Sequence, residues 1–425
     1  MLGADTIEVV MVSFEGPDQY SQAGGLGVRA KELCRALAAM DVPTTLVFVG
    51  DPERPFEETD RGVHLVRWAQ QVSRRYPAGV YQGEHDKIAD VCASLPRYLA
   101  DEMVAPAASR RRLTVLLAEE WQTATACTLV SDVLEARGLR DRCAVLWNAN
   151  NLFGFERIDW AALQRVATVT TVSRYMKLLM RQWGVNPLVI PNGIPSESLR
   201  PVNKGAVRTI RDASQTPCLA FKIGRFSEDK RWHQAVASIA DLRRHGVAAR
   251  LLLRGGIEPY GGQVLEHARS LGLDVSDWAE PVRDAAGVAA ALAATDAALV
   301  NLRSFLPDAV VPQIYAASDA VLANSGHEPF GLVGLETMAA GGVACVGATG
   351  EEYARPYANA VVVETEDPAE LASALRGLVE RPELVERLRR NARRDAAEFS
   401  WPHVIDGLLE RLRFVSEHQG VSAPA

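Results

Sequence analysis

What this chain lacks narrows its function before any motif is read. It has no excess of positive charge, since 46 Lys and Arg stand against 53 Asp and Glu for a net charge of -7. Such a balance supplies no basic field to gather phosphate backbones or anionic lipid, so nucleic acid and membrane surfaces are set aside as partners. Long hydrophobic runs are missing too. The most apolar stretch, Ala285 to Ala294, is alanine-rich and about half the length that crosses a bilayer. Met1-Leu2-Gly3-Ala4-Asp5 has no basic n-region, so a cytoplasmic protein with no integral membrane segment is expected. Cysteine is scarce: Cys34, Cys92, Cys127, Cys143, Cys218 and Cys345 stand singly with no C-x-x-C, as buried thiols in a reducing compartment do. The eight histidines show no His-Glu-x-x-His or His-x-His spacing, and His85-Asp86 has no second ligand group nearby. No protein-held metal and no cofactor is expected from that pattern.

What is present is enough apolar sequence for two or three domains: 425 residues, 48% hydrophobic and 23% charged. Short β-branched runs alternate with helical patterns, the signature of α/β folds with parallel sheets and crossover helices. Ile7 to Phe14, Thr44 to Val49, Leu113 to Ala118, Ala144 to Trp147, Val169 to Val172 and Leu188 to Ile190 read as strands, with a helix from about Val28 to Met40. Pro195 to Pro217 is polar and aperiodic, as a linker would be. The pattern restarts with Cys218 to Ile223, Arg250 to Arg254, Ala297 to Val300, Ala320 to Ala323, Val343 to Val346 and Ala360 to Val363. Two Rossmann-like, doubly wound domains are therefore expected, over 1–198 and 217–396, with a linker at 199–216 and a final helical segment at 397–425.

Three segments carry chemistry. Gly24-Gly25-Leu26-Gly27 precedes the Val28 helix, and a glycine turn at a helix N-terminus suits a phosphate or sugar that touches backbone N–H groups. Gly25-x-Gly27-x-x-Ala30 also satisfies the relaxed dinucleotide pattern, with Asp51 as ribose acceptor. About ten residues separate these glycines from the strand, whereas a dinucleotide turn follows its strand directly. Glycines that only permit close helix packing are the plain alternative. Gly224-Arg225-Phe226-Ser227-Glu228-Asp229-Lys230 places two cations five residues apart between a strand and a helix, where they can converge on a diphosphate or simply be solvated. Asn324 to Glu336 sets Glu328 before a helix and Glu336 eight residues later, about 12 Å at 1.5 Å per residue. That is the reach of a nucleoside diphosphate sugar, with the helix N-terminus at Phe330 to Leu332 offered to phosphate oxygens.

Together these residues resemble the GT-B glycosyltransferases of the retaining group that includes glycosyltransferase family 4 and the bacterial glycogen and starch synthases. Gly24-Gly25-Leu26-Gly27, Glu120-Trp121-Gln122-Thr123-Ala124, Val172-Ser173-Arg174, Ile190-Pro191-Asn192-Gly193, Gly224-Arg225 with Lys230, and Glu328-Pro329-Phe330-Gly331-Leu332 with Glu336 occur in that family's order. The resemblance implies a GT-B fold, with two Rossmann-like domains facing a cleft and the last helix, Trp401 to Val415, returning to the N-terminal domain. It implies Arg225, Lys230 and Glu328 as catalytic groups, the two cations on the donor diphosphate and the acid facing the donor sugar. It implies Gly25, Leu26, Gly27, Asn150, Pro329, Phe330, Gly331, Leu332 and Glu336 as donor contacts, with Glu336 on the ribose. Glu120, Trp121 and Asn151 are the acceptor contacts it suggests. Pre-placed cations and a helix N-terminus stabilise the charge of a leaving nucleoside diphosphate without a metal. Same-face attack without a covalent protein nucleophile is the chemistry implied, and a UDP-, ADP- or GDP-linked hexose is the substrate in place of a cofactor.

The chain departs from the family at three places. Gln22 stands where the synthases carry lysine, Glu119-Glu120-Trp121 stands for His-Asp-Trp, and Asn150 stands where a histidine faces the donor sugar. An amide can hydrogen-bond a hydroxyl but cannot carry a proton. Polymer synthesis and glucose transfer are put in doubt by these changes. Segment 51–112, with Trp68, Tyr76, Tyr81 and Tyr98, reads either as an acceptor site or as an insertion packed on the sheet edge. Hydroxyl acceptors from small glycans to lipid-linked sugars stay open. Two other functions also stay open: a nucleotide-sugar epimerase of the same shape, and a nonenzymatic nucleotide-sugar-binding protein.

Overall fold

Strands such as Ile7–Ser13 and Leu113–Glu119 lack polar alternation because they are buried on both faces, as strands of a parallel sheet are. In the computed structural model, which describes residues 5–421, two such sheets form. Met1-Leu2-Gly3-Ala4, which carried the reading of the N-terminus, lies outside the described residues. The chain divides into two units, the first running to Pro195 and resuming at Ser400, the second spanning Ser196–Phe399.

The first unit's strands are β1 (Ile7–Ser13), β2 (Thr44–Val49), β3 (Glu57–Asp60), β4 (Val63–Trp68), β5 (Leu113–Glu119), β6 (Cys143–Ala149), β7 (Thr168–Thr171) and β8 (Leu188–Val189). They order as β3-β4-β2-β1-β5-β6-β7-β8, and the β3–β4 pair is antiparallel. That hairpin was not expected. Its outer strand is the tetrapeptide Glu-Glu-Thr-Asp, whose acidic side chains suit an edge and hide it from a search for apolar runs. The helix Trp401–Gln419 belongs to this unit: Trp401, Ile405, Leu408 and Leu412 join Ile7, Met11 and Leu33 in one core cluster.

The second unit's strands are β9 (Cys218–Ile223), β10 (Ala249–Arg254), β11 (Val275–Trp278), β12 (Leu299–Leu302), β13 (Ala320–Ala323), β14 (Ala344–Val346) and β15 (Val361–Val362). Their order is β11-β12-β10-β9-β13-β14-β15. The stretch expected to be a linker, 199–216, is corrected here. Lys204–Ser214 is a helix whose N-cap Asn203 accepts from the N–H groups of Gly205 and Ala206. Ile210 is fully buried in the second unit's core, where Val202, Ala206 and Val207 pack around it. The segment's many polar residues mask so narrow an apolar stripe, and a helix needs no more than that when a neighbouring face covers it.

Within segment 51–112 the aromatic residues divide. Trp68 and Tyr98 pack ring to ring at 4.9 Å, with Phe56 beside them, on the sheet edge. Tyr81 instead turns its hydroxyl to Glu15. All six cysteines are free thiols, with Cys92 alone partly exposed. Among the described residues no helix is long and apolar enough to cross a membrane.

Candidate functional site

In a parallel α/β sheet the loops at the carboxyl ends of the strands carry ligands, and each unit gathers polar residues there. In the second unit, β9 runs into the loop 224–231. Phe226 pins it by burying its ring 4.7 Å from that of Trp232, and its backbone N–H donates to Glu258. Trp232 in turn donates its indole N–H to the Arg225 carbonyl at 2.8 Å. The side chain of Arg225 is left exposed, with no ion pair among the described residues. Lys230, half-buried, reaches across 98 residues of sequence to Glu328, Nζ to Oε2 2.6 Å.

Glu328 begins the turn into the helix Leu332–Ala339, whose N-cap Gly331 has φ +79° and provides no side-chain cap. A Cβ at Gly331 would lie 2.8 Å from Glu351 Cγ and 3.1 Å from Glu328 Cγ, so this position needs both the left-handed backbone and the missing side chain. The uncapped N–H groups of the first turn carry the partial positive charge of the helix end. Phe330 is correctly placed in sequence but not as a contact surface: its side chain is core, packed on Tyr353 and Phe399. Its backbone remains for a ligand, between the partly exposed Pro329 and Leu332. The helical rise assumed from Glu328 to Glu336 does not hold throughout, because the helix starts only at Leu332. Glu336 sits in its second turn, about 6 Å of rise from Leu332. Its carboxyl accepts from the buried Tyr315 hydroxyl at 3.3 Å, and burial lifts it to about 7.

Two residues that sequence reasoning missed complete this cluster. Glu351 lies on the loop after β14, and Thr349 donates both its N–H and its hydroxyl to Glu351 Oε2, each at 3.0 Å. Oε1 is buried with no partner, and desolvation raises the carboxyl to about 7. Thr349 also accepts from the Glu328 N–H at 3.1 Å, which ties the two acids into one loop pair. Lys222, at the end of β9, is fully enclosed. Its Nζ donates to the Leu322 carbonyl at 2.9 Å and to Asn324 Oδ1 at 2.6 Å. Burial first, and then the charge of Lys230, lowers it to about 7. Both had a signal: an acid directly after Gly350 in the loop past a short strand, and a lysine interrupting the apolar run Cys218–Ile223.

In the first unit, Glu119 closes β5 and collects Arg29 Nε at 3.2 Å, Asn148 Nδ2 at 2.9 Å and Asn150 Nδ2 at 2.7 Å. Asn150 Oδ1 is buried and has no partner. Glu120 has φ +67°, a strained conformation for a residue with a side chain. It is held by three contacts: its N–H donates to the Asn148 carbonyl, its own carbonyl accepts from Trp147, and its carboxylate accepts from the Asn150 N–H at 2.7 Å. Desolvation raises the Glu120 carboxyl to about 8. Two residues read as acceptor contacts are otherwise engaged. Trp121 is buried against Gly154, itself at φ +74°, where a Cβ would come within 2.4 Å of the indole, and Arg157 covers the ring at 4.6 Å. Asn151 accepts from the Phe153 N–H, closing its own turn.

The glycine loop also differs from expectation. The helix starts at Gly25, and the buried Glu15 carboxylate already accepts from the N–H groups of Ala23, Gly24 and Gly27 at 3.3, 3.0 and 3.1 Å. Of the amides read as donor contacts, Gly27 is thus committed internally, and Gly25 and Leu26 remain. Among the described residues no group of three or more His, Cys, Asp or Glu is placed to hold a metal ion.

Comparison with known proteins adds a family and a fold. Residues 24–193 match the model described as Glycosyl transferase 4-like domain, and residues 206–395 match Glycosyl transferases group 1. A D-inositol 3-phosphate glycosyltransferase of Geodermatophilus obscurus is 26% identical, over 94% of this chain and 87% of its own length. Among solved structures, sucrose-phosphate synthase from Thermosynechococcus elongatus aligns with a TM-score of 0.68 at 18% identity, covering 96% of this chain and all of that one. The catalytic domain of starch synthase IV from Arabidopsis thaliana, bound to ADP and acarbose, aligns with a TM-score of 0.67 at 15% identity over 97% and 99% of the two chains.

Proposed function

Because the chain belongs to the GT-B glycosyltransferases of the GT4 kind, we propose that it moves a hexose or hexose derivative from a nucleoside diphosphate donor to a hydroxyl acceptor, with retention and without a metal ion. The observation that carries this reading is the Lys230–Glu328 pair at the turn into the uncapped Gly331 helix end, with Arg225 exposed on the same loop as Lys230. Breaking the bond to the anomeric carbon leaves a second full charge on the β-phosphate of the departing nucleoside diphosphate. A guanidinium, an ammonium and the helix N–H groups, already in place, stabilise that charge more in the transition state than in the ground state.

An arriving diphosphate competes with Glu328 for Lys230. When Lys230 turns to phosphate oxygens, the Glu328 carboxylate is released toward the sugar hydroxyls it is proposed to hold. Glu336 accepts from the ribose hydroxyls. In the first unit, Asn150 offers its unpartnered Oδ1 to a hydroxyl, and as an amide it orients without transferring a proton. The relative from Geodermatophilus is named for a phosphorylated cyclitol, so cyclitol phosphates belong among the acceptors to be tried beside free sugars.

The test is nucleoside diphosphate release from UDP-, ADP- and GDP-hexoses, with and without pooled acceptors, for wild type and Lys230→Ala. Loss of an electrostatic group aimed at developing charge lowers kcat roughly 100- to 1000-fold, and release should require an acceptor. Equal turnover by the variant would remove Lys230 from the diphosphate site. Conversion of a donor with no acceptor present would favour an epimerase instead.

A further inference from the structure

The first unit contains a polar cavity of about 470 Å³ whose walls come from two stretches: Gln19 to Ala23, leading to the glycine loop, and Pro77 to Gln82, with Asp51 between them. The wall at 77–82 is built on a buried cation. Lys87 is fully enclosed, and its Nζ lies 2.8 to 3.0 Å from the carbonyls of Gly79, Val80 and Gln82 and 2.7 Å from the Tyr20 hydroxyl. The ammonium's donors are therefore taken up by the wall itself, and Lys87 is not among the residues that line the cavity. The Tyr20 hydroxyl is likewise engaged, donating to the Tyr76 carbonyl at 2.8 Å.

What faces a ligand is neutral or acidic. Gln19 and Gln22 are exposed, and no described group pairs with their amides. Gln82 uses its carbonyl oxygen on the Ala78 N–H and keeps its amide hydrogens. Asp51 commits Oδ1 to the Glu53 N–H and keeps Oδ2. No lysine or arginine lines the cavity. The amides of Ala23, Gly24 and Gly27, which would otherwise receive an anion, already hold the Glu15 carboxylate. Tyr81 fixes one side: its ring sits 5.8 Å from Phe14, its hydroxyl is anchored on Glu15, and 43% of it is exposed.

We infer that this cavity binds an uncharged polyhydroxyl compound, a sugar or cyclitol bearing no phosphate, as the acceptor of the transfer proposed above. Amide groups and one free carboxylate oxygen pair with hydroxyls, which both donate and accept, while the Tyr81 ring offers a flat apolar face to ring C–H groups. A phosphate monoester brings two negative charges beside Asp51 and Glu15 with no cation to meet them, which selects against it. The inference rests on the transferase reading for the word acceptor, but not for the site.

The experiment uses the full chain and two probe pairs, glucose with glucose 6-phosphate and myo-inositol with myo-inositol 1-phosphate. Saturation-transfer NMR reads binding without turnover, and acceptor-dependent nucleoside diphosphate release reads transfer. At least one unphosphorylated probe should give a signal that is at least tenfold stronger, by affinity or by acceptor KM, than its phosphorylated partner. Ala78→Trp, which fills the exposed wall, and Gln22→Ala, which removes one amide, should each weaken that signal, the former at least tenfold. Preference of the wild type for a phosphorylated probe, absence of binding by all four, or an unchanged signal in Ala78→Trp would each overturn the inference. If polyol binding is lost in Ala78→Trp but no donor releases its diphosphate, the site stands and the transferase reading is what fails.

Discussion

Two helix N-termini, one in each unit, follow glycine-containing turns at the carboxyl side of a parallel sheet, and they have been finished differently. At Gly25 the buried Glu15 carboxylate occupies the amides of the turn and neutralises the helix end from within. At Leu332 there is no side-chain cap, Gly331 clears the approach, and Lys230 is held against Glu328 in the turn before it. The same backbone device is closed in one unit and open in the other. A glycine turn before a helix is thus an anion site only if no internal acid reaches it first. The difference teaches that charge at the rim, rather than the glycine motif, decides which end can receive a diphosphate.

The open end breaks most severely at Gly331. Gly331→Ala forces a Cβ into the left-handed region and to within 2.8 Å of Glu351 Cγ. The conformational penalty and the overpacking together should destabilise the protein by roughly 3 to 4 kcal/mol. Gly262, on another helix with nothing within 4 Å of an added Cβ, is the control: Gly262→Ala should be neutral or stabilising by up to about 1 kcal/mol. Urea denaturation of the two variants checks both, and equal midpoints would mean that Gly331 is not under the constraint described.

The next effect is a pH dependence at the open end. Burial holds the Glu351 carboxyl at about 7, against 4.5 for an unperturbed glutamate. The folded state therefore binds this proton more tightly than the unfolded chain, and stability falls as pH rises through the window from about 4.5 to about 7, then levels off. Glu351→Gln cannot titrate and keeps an oxygen for Thr349. Relative to wild type it should gain on the order of 2 kcal/mol between pH 5 and pH 7.5. Denaturant midpoints at the two pH values test this, and parallel shifts in both proteins would place the titration elsewhere.

How much of this was legible in the sequence follows from what each residue has to do. The central strands were readable because strands buried on both faces are near-continuous apolar runs, as in Leu113–Glu119 and Cys218–Ile223, each broken only by one or two polar residues. The edge strand Glu57–Asp60 was not, because an edge rewards charge. The helix Lys204–Ser214 was not, because one fully buried isoleucine with a few flanking aliphatics anchors it. Lys230, Glu328 and Glu336 were legible from their spacing and family order. Glu351, Lys222 and Glu15 were passed over: Lys222 meets Asn324 102 residues away, and the acids Glu351 and Glu15 act on backbone amides of their own loops, which no side-chain motif records. Spacing also misled where it assumed a regular helix from Glu328 onward. Trp121 was read as an acceptor contact, although it is buried against Gly154.

The smallest prediction asks whether the closed end differs from the open one by anything except its acid. In a Lys230→Ala background, where the open end is weakened, Glu15→Ala vacates the Ala23, Gly24 and Gly27 amides. Inorganic phosphate should then stabilise the double variant more than Lys230→Ala alone. The extra gain is about 0.8 kcal/mol when phosphate is at about three times its dissociation constant. Thermal or urea midpoints with and without phosphate measure the difference directly. If the two proteins respond alike, the glycine turn does not become an anion site when its carboxylate is removed. Something beyond the acid, such as the cations that only the second unit places at its helix end, must then be required. If the gain appears, a single side chain on the strand-to-loop boundary of β1 is what keeps phosphate out of the first unit. The same Glu15 would then account both for the closed helix end and for part of the preference of the acidic cavity beside it for uncharged ligands.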